Sequence, residues 1–314
     1  METKIEKIIL KSEKGETFEI IGDKLDIFLD ICSIDFKKNF IHNLLNNKKI
    51  RGKIIKILLF GILRKVLGSF PAISERNLVK SVDKNWRLKK VLLMEVFFLG
   101  GKKISFFLGE KIHLLNLMGD FVGIVVKNQY NINSDLIRGK VVFDCGSHNG
   151  VFSIYSSIFS PSRIYSFEPV RNTYEILKKN VELNRLQKKM VLTNSAVGEK
   201  NEEGKIFFDK IADGSASLNK KMSHYENVKI ISLDWFSKFN KVGKVGIIKM
   251  DIEGNEKEAL NGAKRIISKY KPILTFSAYH KPSDKVILPK IVKKIRGDYK
   301  IKLIDRFEED FYCE

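Results

Sequence analysis

The chain has 314 residues, 44% apolar and 30% charged, and its 57 Lys and Arg outnumber 37 Asp and Glu for a formal net charge of +20. That composition excludes a disordered chain and suits one large domain or two modest ones. The charge either favours acidic partners (nucleic acid, anionic lipid, anionic glycan) or reflects lysines scattered over an ordinary surface; it is spread along the chain, with no basic block shaped like a nucleic-acid arm. Three cysteines, Cys32, Cys145 and Cys313, form no CxxC pair. They argue against a disulfide scaffold and a zinc site, and nothing else in the sequence demands a metal. The N-terminus is too charged for a signal peptide, and the longest apolar runs are stopped at Arg64 or interrupted at Glu95, short of the ~20 residues needed to span a bilayer. These features predict a cytoplasmic protein.

Residues 1–120 show no α/β alternation and are expected to form a small mixed α+β accessory region. Asp23–Phe40 and Lys53–Leu67 have the apolar spacing of amphipathic helices. No acidic residue lies between Phe36 and Ser74, so Lys48, Lys49, Arg51, Lys53 and Lys56 either rest on an anionic membrane surface or are simply the solvated face of an ordinary helix. From Lys89 to Tyr130, turn signals at Gly100-Gly101, Gly109-Glu110 and Gly119-Asp120 separate stretches rich in Val, Ile, Phe and Leu, which predicts a small β-meander or mixed layer.

A second domain, 121–314, is marked by a change of pattern at Lys140. Short apolar strands at Val141–Cys145, Arg163–Phe167, Met190–Ser195, Val245–Asp251 and Pro272–Ala278 alternate with helices at Val151–Phe159, Asn172–Asn184, Lys257–Lys269 and Lys285–Ile295. Lys300–Ile304 is a last strand that can pair with Phe307–Cys313. Repeated β–α units with continuous apolar strands predict a mostly parallel sheet buried by helices on both faces, and such sheets bind ligands at the carboxyl ends of their strands.

Those ends carry the informative residues. Val141-Val-Phe-Asp144-Cys145-Gly146-Ser147-His148-Asn149-Gly150 is a strand ending in an acid, then a glycine turn, then a helix. Gly146 allows a tight turn and close backbone approach, and Gly150 allows close packing where the helix begins. A dinucleotide loop would need Gly-x-Gly-x-x-Gly to receive a pyrophosphate. Here Asp144 would repel a pyrophosphate and favour a cationic ligand, which S-adenosylmethionine is. Strand two ends in Phe167-Glu168-Pro169, where the acid can accept hydrogen bonds from two ribose hydroxyls and Pro169 helps fix it. Strand three ends in Asn194-Ser195-Ala196, polar and small enough to meet an adenine edge. Strand four ends in Asp251-Ile-Glu253-Gly254-Asn255-Glu256. Asp251 and Glu253 are placed to orient the ligand or accept a proton, while Glu256 also suits a helix N-terminus. His280 follows strand five on the same edge, and at its ordinary pKa it would be neutral and able to take a proton.

Taken together, VVFDCGSHNGVFSIYSS, IYSFEPVRNTYEILKKNVELN, NSAVG, GSASLN, VKIISLDWF, IIKMDIEGNEKEALNGA and ISKYKPILTFSAYHKPSD resemble the FkbM family of S-adenosylmethionine-dependent methyltransferases, in order, over roughly residues 139–314. The combination of FEP, SLDWF and KMDIEGNE carries the specificity. The resemblance implies the class I seven-stranded sheet, S-adenosylmethionine as donor, and methylation of a hydroxyl on a glycan, glycolipid or natural product. Carried onto this chain, it makes Asp144, Gly146, Gly150 and Glu168 cofactor-binding residues, with Asp251 beside the cofactor and Ile211–Asn219 a loop near the acceptor. Cys145 and His148 depart from the small or apolar residues common in the glycine loop. Two other readings are an RNA methyltransferase, against which strand four lacks an Asn/Asp-Pro-Pro-aromatic motif and no RNA-binding module is visible, and a non-catalytic cofactor-binding scaffold at a membrane. The acceptor and the oligomeric state are not legible.

Overall fold

A computed structural model describes residues 4–12, 17–22, 25, 91–108, 114–208, 216–219 and 222–314. The expected helices Asp23–Phe40 and Lys53–Leu67, their lysines and the Gly109-Glu110 turn lie outside these residues, apart from Leu25. Contacts divide the chain into two units, Glu2–Val122 and Gly123–Glu314.

The first unit contains a four-stranded antiparallel sheet in the order β2-β1-β3-β4, where β1 is Ile5–Ser12, β2 Thr17–Ile21, β3 Val91–Phe98 and β4 Lys103–Phe107. Ile20, Ile8, Val96 and Ile104 stand opposite one another across all four strands, and all four are buried; such cross-strand apolar rows stabilise a sheet. Glu95, which breaks the apolar run of β3, points to the opposite face, where Lys11 and Lys103 meet it at 2.7 and 2.8 Å. The β-meander expected through Tyr130 stops at β4. Residues Leu114–Phe121 form helix α1, extended by a π-turn over Val122–Val126. Leu117, Met118, Phe121 and Val122 are buried at helical spacing, so Gly119-Asp120 sits inside a helix rather than in a turn.

The second unit is built on a seven-stranded sheet of order β13-β14-β12-β11-β5-β6-β7. Its strands are β5 (Val141–Cys145), β6 (Arg163–Phe167), β7 (Met190–Thr193), β11 (Val245–Met250), β12 (Ile273–Ser277), β13 (Ile301–Asp305) and β14 (Glu309–Cys313). The central pairs are parallel, and β14 runs antiparallel between β12 and β13. Helices α2 (Ser134–Ile137), α3 (Val151–Ser157), α4 (Arg171–Leu183), α5 (Leu233–Phe239), α6 (Glu256–Asn261), α7 (Lys264–Tyr270) and α8 (Asp284–Ile295) punctuate it. The core joins Phe143, Ile248, Met250, Leu274 and Phe276 from the strands to Leu260, Ile267, Leu288 and Val292 from the helices. Phe236 meets Phe167 edge-on at 4.9 Å and Phe143 at 6.0 Å, a favourable aromatic geometry. This is the predicted α/β class with its strands in the predicted segments.

Two details differ from expectation. The single helix expected over Lys257–Lys269 is two helices. The Gly262 carbonyl accepts from Asp234 N at 2.9 Å, and the Asp234 carboxylate accepts from Arg265 N and Ile266 N at 2.8 and 2.9 Å. The aspartate of SLDWF therefore satisfies the first free N–H groups of α7, which makes a second helix start affordable. A second sheet also appears, in the order β8-β10-β9, from Ala196–Val197 (β8), Glu202–Phe208 (β9) and His224–Ile231 (β10). It supplies one wall of the cleft described next.

Candidate active site

The order of the main sheet reverses direction between β5 and β11, and ligand crevices in open α/β sheets form outside the strand ends at such a point. Here a cleft of about 660 Å³, its open mouth included, is walled by Gly146, His148, Glu168, Ser195, Asp251 and Glu253 on its polar side and by Phe167, Val170, Ile206, Phe208 and Leu218 on its apolar side.

The glycine loop is held from below. Asp144 is fully buried. One of its carboxylate oxygens accepts from Ser153 Oγ at 2.6 Å and the other faces Lys249 Nζ at 3.2 Å. Lys249 is the direct register partner of Asp144 across β5 and β11, and its ammonium also donates to Gly146 O at 2.7 Å. The negative charge expected to select a cationic ligand is thus neutralised by a buried lysine; Asp144 is not part of the cleft wall and braces the loop instead. Gly146 has φ 75°. A Cβ on it would stand 1.9 Å from the Asp251 carbonyl oxygen, so the close approach it permits includes that to the end of β11. Asp251 N donates to Cys145 O at 3.1 Å in the same contact. Gly150 caps α3 at φ 94° and, as expected, leaves no room for a side chain, with Leu177 2.6 Å from its would-be Cβ.

The other loop residues divide into wall and frame. Ser147 Oγ donates to Asp144 O at 2.8 Å, Asn149 Oδ1 accepts from Val151 N at 3.3 Å, and Cys145 is buried in the core, which pushes its thiol well above the usual range. These three side chains are frame, and His148, in the left-handed region at φ 48°, is wall. Glu168 accepts His148 N at 2.9 Å and Val170 N at 3.0 Å. A carboxylate has about four acceptor positions, so two remain for a ligand. Burial raises the Glu168 pKa against the pull of His148 and the two backbone donors. Asn194 donates to the Glu168 and Pro169 carbonyls, both at 2.9 Å; it fixes this turn and does not line the cleft. Ser195 and Ala196 do line it, and the buried Ser195 hydroxyl has no hydrogen-bond partner among the described residues.

The end of β11 gathers charge. Asp251 Oδ2 accepts from Tyr130 Oη at 2.7 Å. Burial opposes its ionisation, but Lys249, His280 and Tyr130 together hold its pKa below the usual carboxylate value. Glu253 takes a left-handed backbone at φ 53°, a strained conformation typical of functional turns. Burial first, then Asp251 and Glu256, raise its pKa despite the nearby His280. His280 is not part of the cleft wall. Its Nδ1 lies 3.1 Å from Glu256 Oε1, and its Nε2 lies 3.5 and 3.6 Å from Asp251 Oδ1 and Glu253 Oε2. Burial disfavours its charge, yet Glu253, Glu256 and Asp251 raise its pKa to about 11. The three carboxylates thus favour positive charge at this ring over the free neutral imidazole assumed from the sequence. Ser217 Oγ donates to Glu253 O at 2.8 Å and Asn219 to Gly254 O at 3.1 Å. The described part of the expected Ile211–Asn219 loop thus fastens to the Glu253 turn, and residues 211–215 lie outside the described residues.

Sequence reasoning missed Lys249, Tyr130 and Glu256 as partners of this site. Lys249 had a signal: a lysine inside a strand buried on both faces requires a buried acid, and Asp144 ends the neighbouring strand. Tyr130 precedes the first strand of the sheet and carried none.

The fold and its glycine turn, strand-two acid and strand-four acids define a class I methyltransferase domain. Residues 144–297 match the family model for the methyltransferase FkbM domain, so this part of the chain is a methyltransferase domain of the FkbM kind. No curated protein matches the chain. Among solved structures, it is similar to methyltransferase FkbM from Methylobacillus flagellatus, at 22% identity and TM-score 0.44, over 64% of this chain and 53% of that one; the chain thus spans about half of that relative's length. It is also similar to precorrin-6y C5,15-methyltransferase from Geobacter metallireducens, at 10% identity and TM-score 0.39 over 61% of this chain and 84% of that one. A third is SMU.1697c from Streptococcus mutans in complex with SAH, at 11% identity and TM-score 0.37 over 60% and 96%.

S-adenosylmethionine is the donor this family implies, and the cleft suits it. The spare acceptor positions of Glu168 match ribose hydroxyls, and the unpartnered Ser195 hydroxyl matches a polar ring edge. The apolar wall of Val170, Ile206, Phe208 and Leu218 matches a planar ring, and the Asp251 carboxylate matches a cationic end. Among the described residues, no helix is long and apolar enough to cross a membrane.

Proposed function

We propose that this methyltransferase transfers its methyl group to a hydroxyl oxygen of a glycan, glycolipid or natural product. The observation that carries this reading is the pair Asp251 and Glu253 on the cleft wall, one held ionised and the other made more basic by its surroundings. S-adenosylmethionine, when bound, supplies an activated methyl group. The chain's residues supply alignment and a proton acceptor. Glu168 and Ser195 orient the nucleoside end, and Asp251 opposes positive charge. A hydroxyl is a weak nucleophile while it keeps its proton, and of the two carboxylates on the cleft wall Glu253 is the better acceptor for that proton, since its pKa is raised and that of Asp251 is lowered. In this reading His280 positions the two carboxylates and holds their repulsion in check.

The experiment is a screen of hydroxylated glycans, glycolipids and natural products with isotopically labelled S-adenosylmethionine, read by mass spectrometry. Label on an acceptor oxygen supports the reading; label on RNA bases and on no hydroxylated acceptor contradicts it. With the true acceptor, Glu253→Gln should lower kcat by ~10²–10⁴-fold, the usual contribution of a general base, and leave cofactor affinity nearly unchanged. A Glu253→Gln enzyme with normal kcat would move the proton to Asp251 or water.

A further inference from the structure

Three negative groups converge on one imidazole. Glu256 is buried and takes the Nδ1 side of His280 at 3.1 Å while also accepting Ile252 N at 3.0 Å. A histidine whose Nδ1–H is given to a carboxylate presents its Nε2 lone pair outward, the arrangement that orients metal-binding histidines. Here Nε2 points at Asp251 Oδ1 and Glu253 Oε2, 3.5 and 3.6 Å away. Those separations are longer than a sound N–H···O hydrogen bond. They equal the spacing of two ligands that share one ion: at ligand distances of about 2.0–2.2 Å, tetrahedral neighbours stand about 3.3–3.6 Å apart. The His280 side chain is only 7% exposed, and its Nε2 has no hydrogen-bond partner among the described residues. The three ligating atoms lie within 4.8 Å of one another. Something positive has to stand between them, either a proton on Nε2 or an ion.

We propose that Asp251, Glu253 and His280 bind a divalent transition-metal cation, with Glu256 orienting the histidine. One imidazole nitrogen and two carboxylate oxygens suit Mn²⁺ or Zn²⁺ better than Mg²⁺, which prefers an all-oxygen shell rich in water. Three protein ligands leave further positions open, as in catalytic rather than structural metal sites, and Asp251 and Glu253 face the cleft. The second oxygen of Asp251 is already engaged by Tyr130, which steers Oδ1 toward the ion. An ion at this place would bind an acceptor hydroxyl and ease loss of its proton. That role rests on the proposed methyl transfer to oxygen; the binding of the ion does not.

The test uses the full chain, stripped of metal with a chelator, without cofactor or acceptor. Mn²⁺ alone is titrated, and the loss of its free electron-paramagnetic-resonance signal is followed, with Zn²⁺ as competitor. The expected result is saturable uptake of one ion per chain, displaced by Zn²⁺ and weakened by at least about tenfold in both His280→Gln and Glu253→Gln. Glu253 is partly exposed, so its replacement leaves the core intact. No saturable uptake by the wild-type chain, or uptake unchanged in both variants, overturns the proposal. S-adenosylhomocysteine is titrated into the same metal-free samples. Binding there without Mn²⁺ uptake removes the metal site and leaves the methyltransferase reading in place, and Mn²⁺ uptake without it does the reverse.

Discussion

Lys249→Met is expected to lower the stability of the methyltransferase domain by about 3–5 kcal/mol, the usual cost of stranding a buried charge. The carboxylate it leaves behind, Asp144, is fully buried and, among the described residues, keeps the Ser153 hydroxyl as its side-chain partner. Removing both charges is a different experiment. Asp144→Leu combined with Lys249→Met should recover a large part of the loss, because an apolar pair of similar volume is often no worse than a buried ion pair. Urea midpoints for the two single variants and the double variant measure this. A double variant as unstable as the sum of the two singles would show that the residues act independently. The same ammonium holds the Gly146 carbonyl at 2.7 Å, so the single variant should also loosen the cofactor loop.

Gly146→Ala should be nearly as damaging, for a reason of space rather than charge. Its Cβ would sit 1.9 Å from a backbone oxygen of Asp251, where no rotamer change can relieve the clash. The ends of β5 and β11 must separate, at a cost of about 1–3 kcal/mol for the overpacking, with further strain from a positive φ. Since Asp251 is displaced by the same movement, S-adenosylhomocysteine affinity should fall along with stability. Gly243→Ala is the control: nothing lies within 4 Å of its would-be Cβ, so its melting temperature should be close to wild type. A Gly146→Ala chain that melts and binds like that control would remove the contact from the account.

The strands were legible because their burial is two-sided. VVFDC and VGIIKM read as continuous apolar runs, and both are central strands of the sheet. The helix break at Gly262 was hidden because its cause is tertiary: the Asp234 carboxylate, about 30 residues earlier in the chain, satisfies the first turn of α7. The short sheet of β8, β9 and β10 was hidden because β9 and β10 are half exposed and weakly alternating and β8 is two residues long. In the site, residue types and strand ends were readable, but charge balance was not. A carboxylate at a strand end says nothing about whether a buried lysine already neutralises it, and a histidine's ordinary pKa says nothing about three acids that folding brings around it. So Asp144 moves from the cleft wall to the frame, and His280 from the cleft wall to the centre of three carboxylates.

The most direct test of the cofactor site is a calorimetric titration of S-adenosylhomocysteine into the wild-type chain and into Glu168→Ala. Glu168 is the wall residue whose backbone donors hold both oxygens in place while leaving acceptor capacity toward the cleft. Loss of its charge-assisted hydrogen bonds should cost ~1.5–3 kcal/mol, roughly tenfold or more in affinity. One molecule should bind per wild-type chain, with that weakening in the variant. No binding to the wild-type chain, or equal affinity in Glu168→Ala, would contradict this cofactor site.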